Sequence, residues 1–284
     1  MPELTTSLRA LIAGGTERLR RSGSGEPRRE ALRIWSDLSS GGPAEVVLCG
    51  EEPVGDDRVC RFDAAVARRA RGEPLAHVTG WTGFRTLSLV SDGRALIPRP
   101  ETEGLVDLLL QRVRTGRVVD VGTGSGCIAL SLAQEGEFAE IAAVDRSREA
   151  LALARVNRDS LGLRVSLALG DLCSPFRSGV FDALISNPPY LTVAEYAALE
   201  GSVRDWEPAV ALVSGDDGMV ATVRLLKDGR EVLRPGGWLA LEVDCSRARA
   251  AAARACALGW YDVTVHVDLF GRERYLLARR SNTR

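Results

Sequence analysis

The chain has 284 residues, 37 basic against 38 acidic side chains, a formal net charge of −1 and 45% hydrophobic residues. That is enough chain for one large domain plus a smaller one, and the even balance of charge excludes a single-signed field of the sort that holds polyanions. Six scattered cysteines (Cys49, Cys60, Cys127, Cys173, Cys245 and Cys256) make no CxxC pair and have no histidine at ligand spacing, so no metal is expected and the thiols are read as buried and reduced.

The first fifteen residues, MPELTTSLRALIAGG, carry Glu3 and place Arg9 inside a short apolar patch, which does not make a signal peptide. Nowhere do about 18 apolar residues run together, so no membrane span and a cytoplasmic location are expected. From Thr5 to about Arg71 the texture is helical. SLRALIAGGTERLRR, EPRREALRIWSDL and DDRVCRFDAAVARRARG mix apolar and charged residues near a 3.6-residue period, and Gly, Ser and Pro clusters separate them. The arginines at 18, 20, 21, 28 and 29 read as a solvated helix face.

PLAHVTGWTGFRTLSLV then changes to short extended runs around Gly80 and Gly83 and predicts a hairpin joining two domains, with His77 inside it. TEGLVDLLLQRV predicts a helix. After Arg117, short apolar runs alternate with longer amphipathic ones: RVVDV, EIAAVD, RVSLALGD, FDALISN and WLALEV as buried strands, and GCIALSLAQEG, SREALALARVNRD and MVATVRLLKDGREVL as helices. This rhythm predicts an α/β, doubly wound parallel sheet. The tail breaks it, because WYDVTVHVD and RERYLLARR are joined by LFG with no helix between, which predicts an antiparallel C-terminal hairpin.

VVDVGTGSGCIAL places Gly122, Gly124 and Gly126 between the first strand of the sheet and a helix, where glycine permits a sharp turn and close approach of a ligand to backbone N–H groups. Asp145 ends the second strand, where a carboxylate can accept both hydroxyls of a ribose. A nucleoside-bearing ligand follows. The loop alone leaves open which one, since residues 124–129 also satisfy the relaxed dinucleotide pattern of a nicotinamide-dependent dehydrogenase. GDLC closes the third strand and sets Asp171 and Leu172 beside the base of such a ligand.

ISNPPYL ends the fourth strand on the rim where open α/β sheets bind ligands. Pro188 and Pro189 stiffen the corner and carry no N–H, so their carbonyls are free to accept. Asn187 adds an amide carbonyl, and Tyr190 a flat face. Convergent acceptors beside an aromatic ring suit a planar group bearing NH2, an amide or an aromatic amine. Accepting from its N–H bonds orients that nitrogen toward a methyl sulfonium held by the glycine loop.

Together IPRPETE (97–103), VDVGTGSG (119–126), ISNPPY (185–190), EPAVALVSGDDGM (207–219) and DLFGRERYLLARR resemble, over nearly the whole chain, the S-adenosylmethionine-dependent protein-glutamine N5-methyltransferases that modify class 1 peptide chain release factors. The resemblance implies a seven-stranded methyltransferase sheet, with residues 1–74 as a helical substrate-recognition domain, 75–95 as a β-hairpin linker and 96–284 as the methyltransferase domain. It implies that Gly122, Thr123, Gly124, Ser125 and Gly126 hold the amino acid part of S-adenosylmethionine, Asp145 its ribose and Asp171-Leu172 its adenine. Asn187, which would also touch the cofactor, and Pro188 would hold the substrate amide, with Pro189 and Tyr190 completing the pocket and Asn187, Pro188 and Tyr190 as the catalytic set. Two departures stand out: Leu172 replaces the family's usual aromatic residue, and DCSRA follows LALEV where the family generally has Gly-Tyr/His with a Gln. The partner implied is a class 1 release factor acted on by a monomer, with no stable nucleic-acid partner. N6-methylation of adenine in nucleic acid shares the corner chemistry and is the alternative, but such enzymes commonly carry a basic cleft or a target-recognition domain.

Overall fold

The computed structural model describes residues 6–39 and 42–282. The first five residues, which begin the stretch read as no signal peptide and the 1–74 range, lie outside the described residues, as do 40–41 and 283–284. The chain forms two units, one made of residues up to Trp81 together with Glu200–Trp206, the other of Thr82–Leu199 and Glu207–Arg284.

The first unit is helical: α1 (Leu8–Arg21), α2 (Pro27–Ser39), α3 (Gly42–Leu48), α4 (Asp56–Ala70) and α5 (Leu75–Thr79). Ser7 starts α1 by accepting from Ala10 N at 3.3 Å, a side-chain cap on an otherwise orphaned N–H. Leu8, Leu11, Ile12, Gly15, Thr16 and Leu19 recur three and four residues apart and so share one buried face, whose leucines and Ile12 pack in one core with Ile34 and Trp35 of α2 and Phe62 and Val66 of α4. The Trp35 indole N–H, drawn into this core, donates to Glu45 Oε2 at 2.8 Å. Four of the five clustered arginines face acids on the surface: Arg18 with Asp63, Arg20 and Arg21 with Glu17, and Arg29 with Glu26.

The stretch expected to be all hairpin begins instead as a helix. Pro74 O accepts from His77 N and Val78 N, Val78 buries, and Gly80 at φ +80° closes α5, so His77 lies on a helical turn and not in a strand. Only then come β1 (Trp81–Phe84) and β2 (Leu87–Val90). Their turn holds Arg85 at φ +53°, fixed because its N–H donates to Glu103 Oε1 at 2.8 Å and its guanidinium reaches Glu135 Oε2 at 2.6 Å and Asp107 Oδ1 at 2.7 Å.

In the second unit α6 (Pro100–Leu110) precedes the sheet, whose strands and helices are β3 (Thr115–Val121), α7 (Cys127–Glu135), β4 (Glu137–Asp145), α8 (Arg148–Leu161), β5 (Ser166–Leu169), β6 (Phe181–Ser186) and, after α9 (Val193–Ala197), α11 (Val220–Val232), β7 (Leu233–Glu242), α12 (Ala248–Ala257), β8 (Trp260–Val267) and β9 (Glu273–Arg280); α10 (Gly201–Arg204) falls in the first unit. The seven strands run in the order β5-β4-β3-β6-β7-β9-β8, parallel through β7 and antiparallel at β7–β9 and β9–β8. The chain reverses its winding between β3 and β6. Successive residues of each strand face opposite layers. Val118, Ala183 and Ala240 pack with Leu105 and Leu109 of α6 and Ile128 of α7, whereas Val119, Leu184 and Leu239 pack with Leu225 and Leu226 of α11 and Ala251 of α12.

Three cysteines depart from expectation. Cys173 is buried and Cys49 and Cys127 are half-buried, but Cys60, Cys245 and Cys256 are exposed, and all six are free thiols. Cys60 and Cys256 sit on helices at positions facing away from the apolar seam, where no packing encloses them. Among the described residues, no helix is long and apolar enough to cross a membrane.

Gly104 in α6 lies against the ring of the buried Tyr275, whose hydroxyl donates to Glu101 O. A Cβ at this position would fall 2.6 Å from Tyr275 Oη and 3.0 Å from Cζ. Gly104→Ala, which in an open helix adds about 0.5–1 kcal/mol of stability, is therefore expected to cost about 1–3 kcal/mol by overpacking in urea unfolding. Tyr275→Phe, which removes the nearest atom, is expected to recover part of that loss in the double variant.

Candidate active site

The glycine loop leaves β3 with Gly122, Gly124 and Gly126 at φ +74°, +56° and +86°, the left-handed region that only glycine enters without strain. Gly122 N and Thr123 N donate to Val144 O at 2.8 and 3.0 Å, which moors the loop to β4. Asp120, fully buried at the end of β3, accepts on Oδ2 from Thr123 Oγ1 at 2.6 Å and from Ala129 N at 3.2 Å, tying strand, loop and helix together. Burial pushes its carboxyl up to about 7 against those two bonds, and Oδ1 has no partner among the described residues. Asp145 ends β4 and accepts from Gly124 N and from Ser147 N, both at 2.9 Å, so its carboxylate is aimed before any ligand arrives.

One residue that fixes the loop was not foreseen. Asn157, wholly buried on α8, donates to Ser125 O at 3.0 Å and to Val90 O at 3.2 Å and accepts from Val90 N at 2.7 Å. It clasps the loop and β2 with one amide. An asparagine in the middle of an apolar helix face was its only sequence signal.

The corner leaves β6 beside this loop because β6 and β3 are hydrogen-bonded neighbours, with Asp120 level with Ile185. Ser186 Oγ donates to Val121 O at 2.6 Å and locks the two strand ends. Beyond the corner, Leu191 N donates to Leu212 O and Ser214 N to Leu191 O, so residues 208–215 fold back as a wall. The opposite wall is the extended segment before α6, where buried Glu207 accepts from Ile97 N at 3.1 Å and from Arg99 Nη2 at 2.6 Å.

These parts enclose a cavity of about 330 Å³. Gly122, Thr123, Gly124, Ser125, Asp145, Asp171, Leu172, Asn187 and Pro189 all line it, as do Arg99 and Thr102. Gly126 does not; a Cβ there would lie 3.3 Å from Ala154, so its role is packing of the loop on α8. Pro188, which is buried, and Tyr190 are absent from the lining; burial and then the neighbouring Glu242 carboxylate push the Tyr190 phenol up. Asp171 is half-exposed and paired with Arg224 at 2.8 Å, while Leu172 adopts φ +51° and projects into both cavity and core. A leucine held in that region carries strain of the kind found at ligand sites.

S-adenosylmethionine fits this donor set. Open space faces Gly122, where a Cβ would meet nothing within 4 Å, and the buried, unpartnered Asp120 Oδ1 and the aimed Asp145 carboxylate stand at the ends of adjacent strands.

Residues 10–80 match the PrmC N-terminal domain family, and residues 100–200 match the family described as Methyltransferase small domain. The chain is 40% identical to the release factor glutamine methyltransferase of Deinococcus radiodurans over 96% of its own length and 99% of that protein's, and 37% identical to that of Nitratidesulfovibrio vulgaris over 97% and 96%. The chain belongs to the release factor glutamine methyltransferase family. Among solved structures, a methyltransferase from Pyrococcus furiosus shares the fold, with a TM-score of 0.54 and 19% identity over 80% of this chain and 100% of that one. Within the family's frame, the two departures of this chain fall in different places. Leu172 lines the cavity, whereas Asp244 and Cys245 begin the turn after β7, where Arg247 pairs with Asp244 at 3.2 Å.

Asp120 gives a pH test of the loop. A carboxyl whose folded value is raised holds its proton more tightly folded than unfolded, so the stability it contributes is complete below the ordinary carboxylate range and is lost as pH rises through about 7. The difference in melting temperature between Asp120→Asn and the parent is therefore expected to shift in favour of the variant between pH 5 and pH 8, as followed by circular dichroism.

Proposed function

We propose that the protein transfers the methyl group of S-adenosylmethionine to the side-chain amide nitrogen, N5, of a glutamine in class 1 peptide chain release factors. One observation carries the reading: the glycine loop and Asn187 leave neighbouring parallel strands and line one cavity. Loop residues 122–125 hold the amino acid part of the cofactor, Asp145 the ribose, and Leu172 with Asp171 the adenine. Bound there, the cofactor supplies an electrophilic methyl on a sulfonium.

An amide nitrogen is a poor nucleophile, its lone pair being shared with the carbonyl. Asn187 Oδ1 accepts one of its N–H bonds, with the Pro188 carbonyl as second acceptor, and this orients the lone pair. The nitrogen grows more positive along the reaction, so the same acceptors hold the transition state more tightly than the ground state. Alignment of two reactants in one cavity contributes roughly 7–11 kcal/mol. Pro189 and Tyr190 shape the pocket, Tyr190 from behind. Neither histidine lines the cavity.

The helical N-terminal unit grips the release factor, since a single glutamine offers few contacts for specificity. The protein works as a cytoplasmic monomer, where its substrate is found.

Mass spectrometry of a class 1 release factor after incubation with enzyme and labelled cofactor is expected to place one added methyl on a glutamine; label in adenine of DNA or RNA and none in the release factor would refute the assignment. Asn187→Ala is expected to slow methylation about 10²–10³-fold, as for loss of a transition-state hydrogen-bond group, while calorimetry shows cofactor binding little changed.

A further inference from the structure

Asn187 can serve a carboxamide substrate only if its own amide is turned the right way. An acceptor is needed toward the cavity, yet the two ends of an asparagine side chain have nearly the same shape, so packing alone does not choose between them. The structure holds a group that does choose. Asn187 Nδ2 donates to Thr102 Oγ1 at 3.0 Å, and Thr102 Oγ1 donates to Glu242 Oε2 at 2.7 Å. Thr102 and Glu242 are 2% and 1% exposed, so water offers no alternative partners.

The polarity of this chain is fixed from its buried end. A carboxylate accepts only, so the single proton of the Thr102 hydroxyl goes to Glu242. The hydroxyl is left with lone pairs alone for Asn187, which must then present its NH2 to Thr102. Oδ1, which has no partner among the described residues, is the end that remains for a ligand. We propose that Thr102 and Glu242 are positioning residues that set the orientation of the Asn187 amide and thereby select a substrate that donates N–H. The inference rests on the reading of Asn187 as an acceptor for the substrate amide.

The scaffold around Glu242 suits this role. It ends β7, level with Tyr275 on β9, and Thr102 lies in the first turn of α6, started by Pro100. The charged and titratable groups facing it are Arg274 and Tyr275 from β9, Glu101 from α6 and Tyr190 from the corner. Burial pushes Glu242 up to about 7, against the hydrogen bond from Thr102 and the charge of Arg274. Protonation removes the demand for a donor from Thr102. The hydroxyl can then turn to Asn187 and the amide can invert, showing NH2 to a substrate NH2. Acceptor strength at the corner is thus tied to the ionised form of Glu242, present above about 7 and lost as pH falls through it.

The test uses the full chain with a class 1 release factor and three variants, each checked for its melting temperature. Thr102→Val keeps the shape and removes the hydroxyl; kcat is expected to fall about tenfold to a hundredfold, the scale of a misplaced reacting group, with cofactor Kd unchanged. Thr102→Ser, which restores the hydroxyl, is expected to recover most of the rate. The parent's kcat is expected to rise between pH 6 and 8, and Glu242→Gln is expected to abolish that rise. A Thr102→Val enzyme as fast as the parent, a Thr102→Ser enzyme as slow as the valine variant, or a pH limb that survives in Glu242→Gln would overturn the proposal. The Asn187 side-chain NH2 resonances, followed by NMR from pH 6 to 8 without substrate, are expected to shift in the parent and stay fixed in Glu242→Gln; equal behaviour in both would also overturn it. A parent that leaves release factors unmethylated would count against the proposed function, and the resonances would still decide the orientation.

Discussion

The pairing of β3 with β6 is the constraint on which the site depends. The two strands run parallel and side by side where the winding of the sheet reverses, so both chain exits leave the same rim. One exit is a run of glycines and the other a run of prolines, and the contrast has a physical purpose. Glycine lets backbone approach a ligand; proline keeps acceptors still. Ser186 donating to Val121 O fastens the two ends, so their separation belongs to the sheet and not to loop motion.

Around that joint the protein uses buried polar side chains as clasps. Asn157 binds the glycine loop to β2, Glu207 binds the segment before α6 to the wall after the corner, and Glu242 with Thr102 binds α6 to the corner itself. A buried polar group left unpaired is costly, and each of these is paired on two sides, which makes it specific about geometry. Asp120 Oδ1, at the end of β3, breaks that pattern, having no partner among the described residues.

Much of this was legible in the sequence because it depends on local chemistry. The strands of the parallel sheet show as short apolar runs, the loop as spaced glycines, the corner as paired prolines, and the tail hairpin as two strands with no room for a helix. What escaped depends on contacts between residues far apart in the chain. Helix α5 was hidden inside an apparently extended stretch because its start is set by Pro74 and its burial by the helical unit's core. Nothing local says that β9 inserts between β7 and β8. Helix α12, an alanine-rich run, lacked the alternation that marks its neighbours. Tyr190 reads as an aromatic wall, and the structure sets it beside Glu242 rather than in the cavity lining, while Glu242 itself reads as the end of an apolar strand. Family resemblance supplied the cofactor and substrate; it did not supply the clasps.

The position of a substrate carboxamide at the corner is the central requirement. A crystal structure of the protein with S-adenosylhomocysteine and a glutamine peptide from a class 1 release factor measures it directly. The expected result is the glutamine amide nitrogen within hydrogen-bond distance of Asn187 Oδ1, with Asn187 Nδ2 still on Thr102. A glutamine bound away from the corner, or an Asn187 amide presenting NH2 to it, would contradict the account.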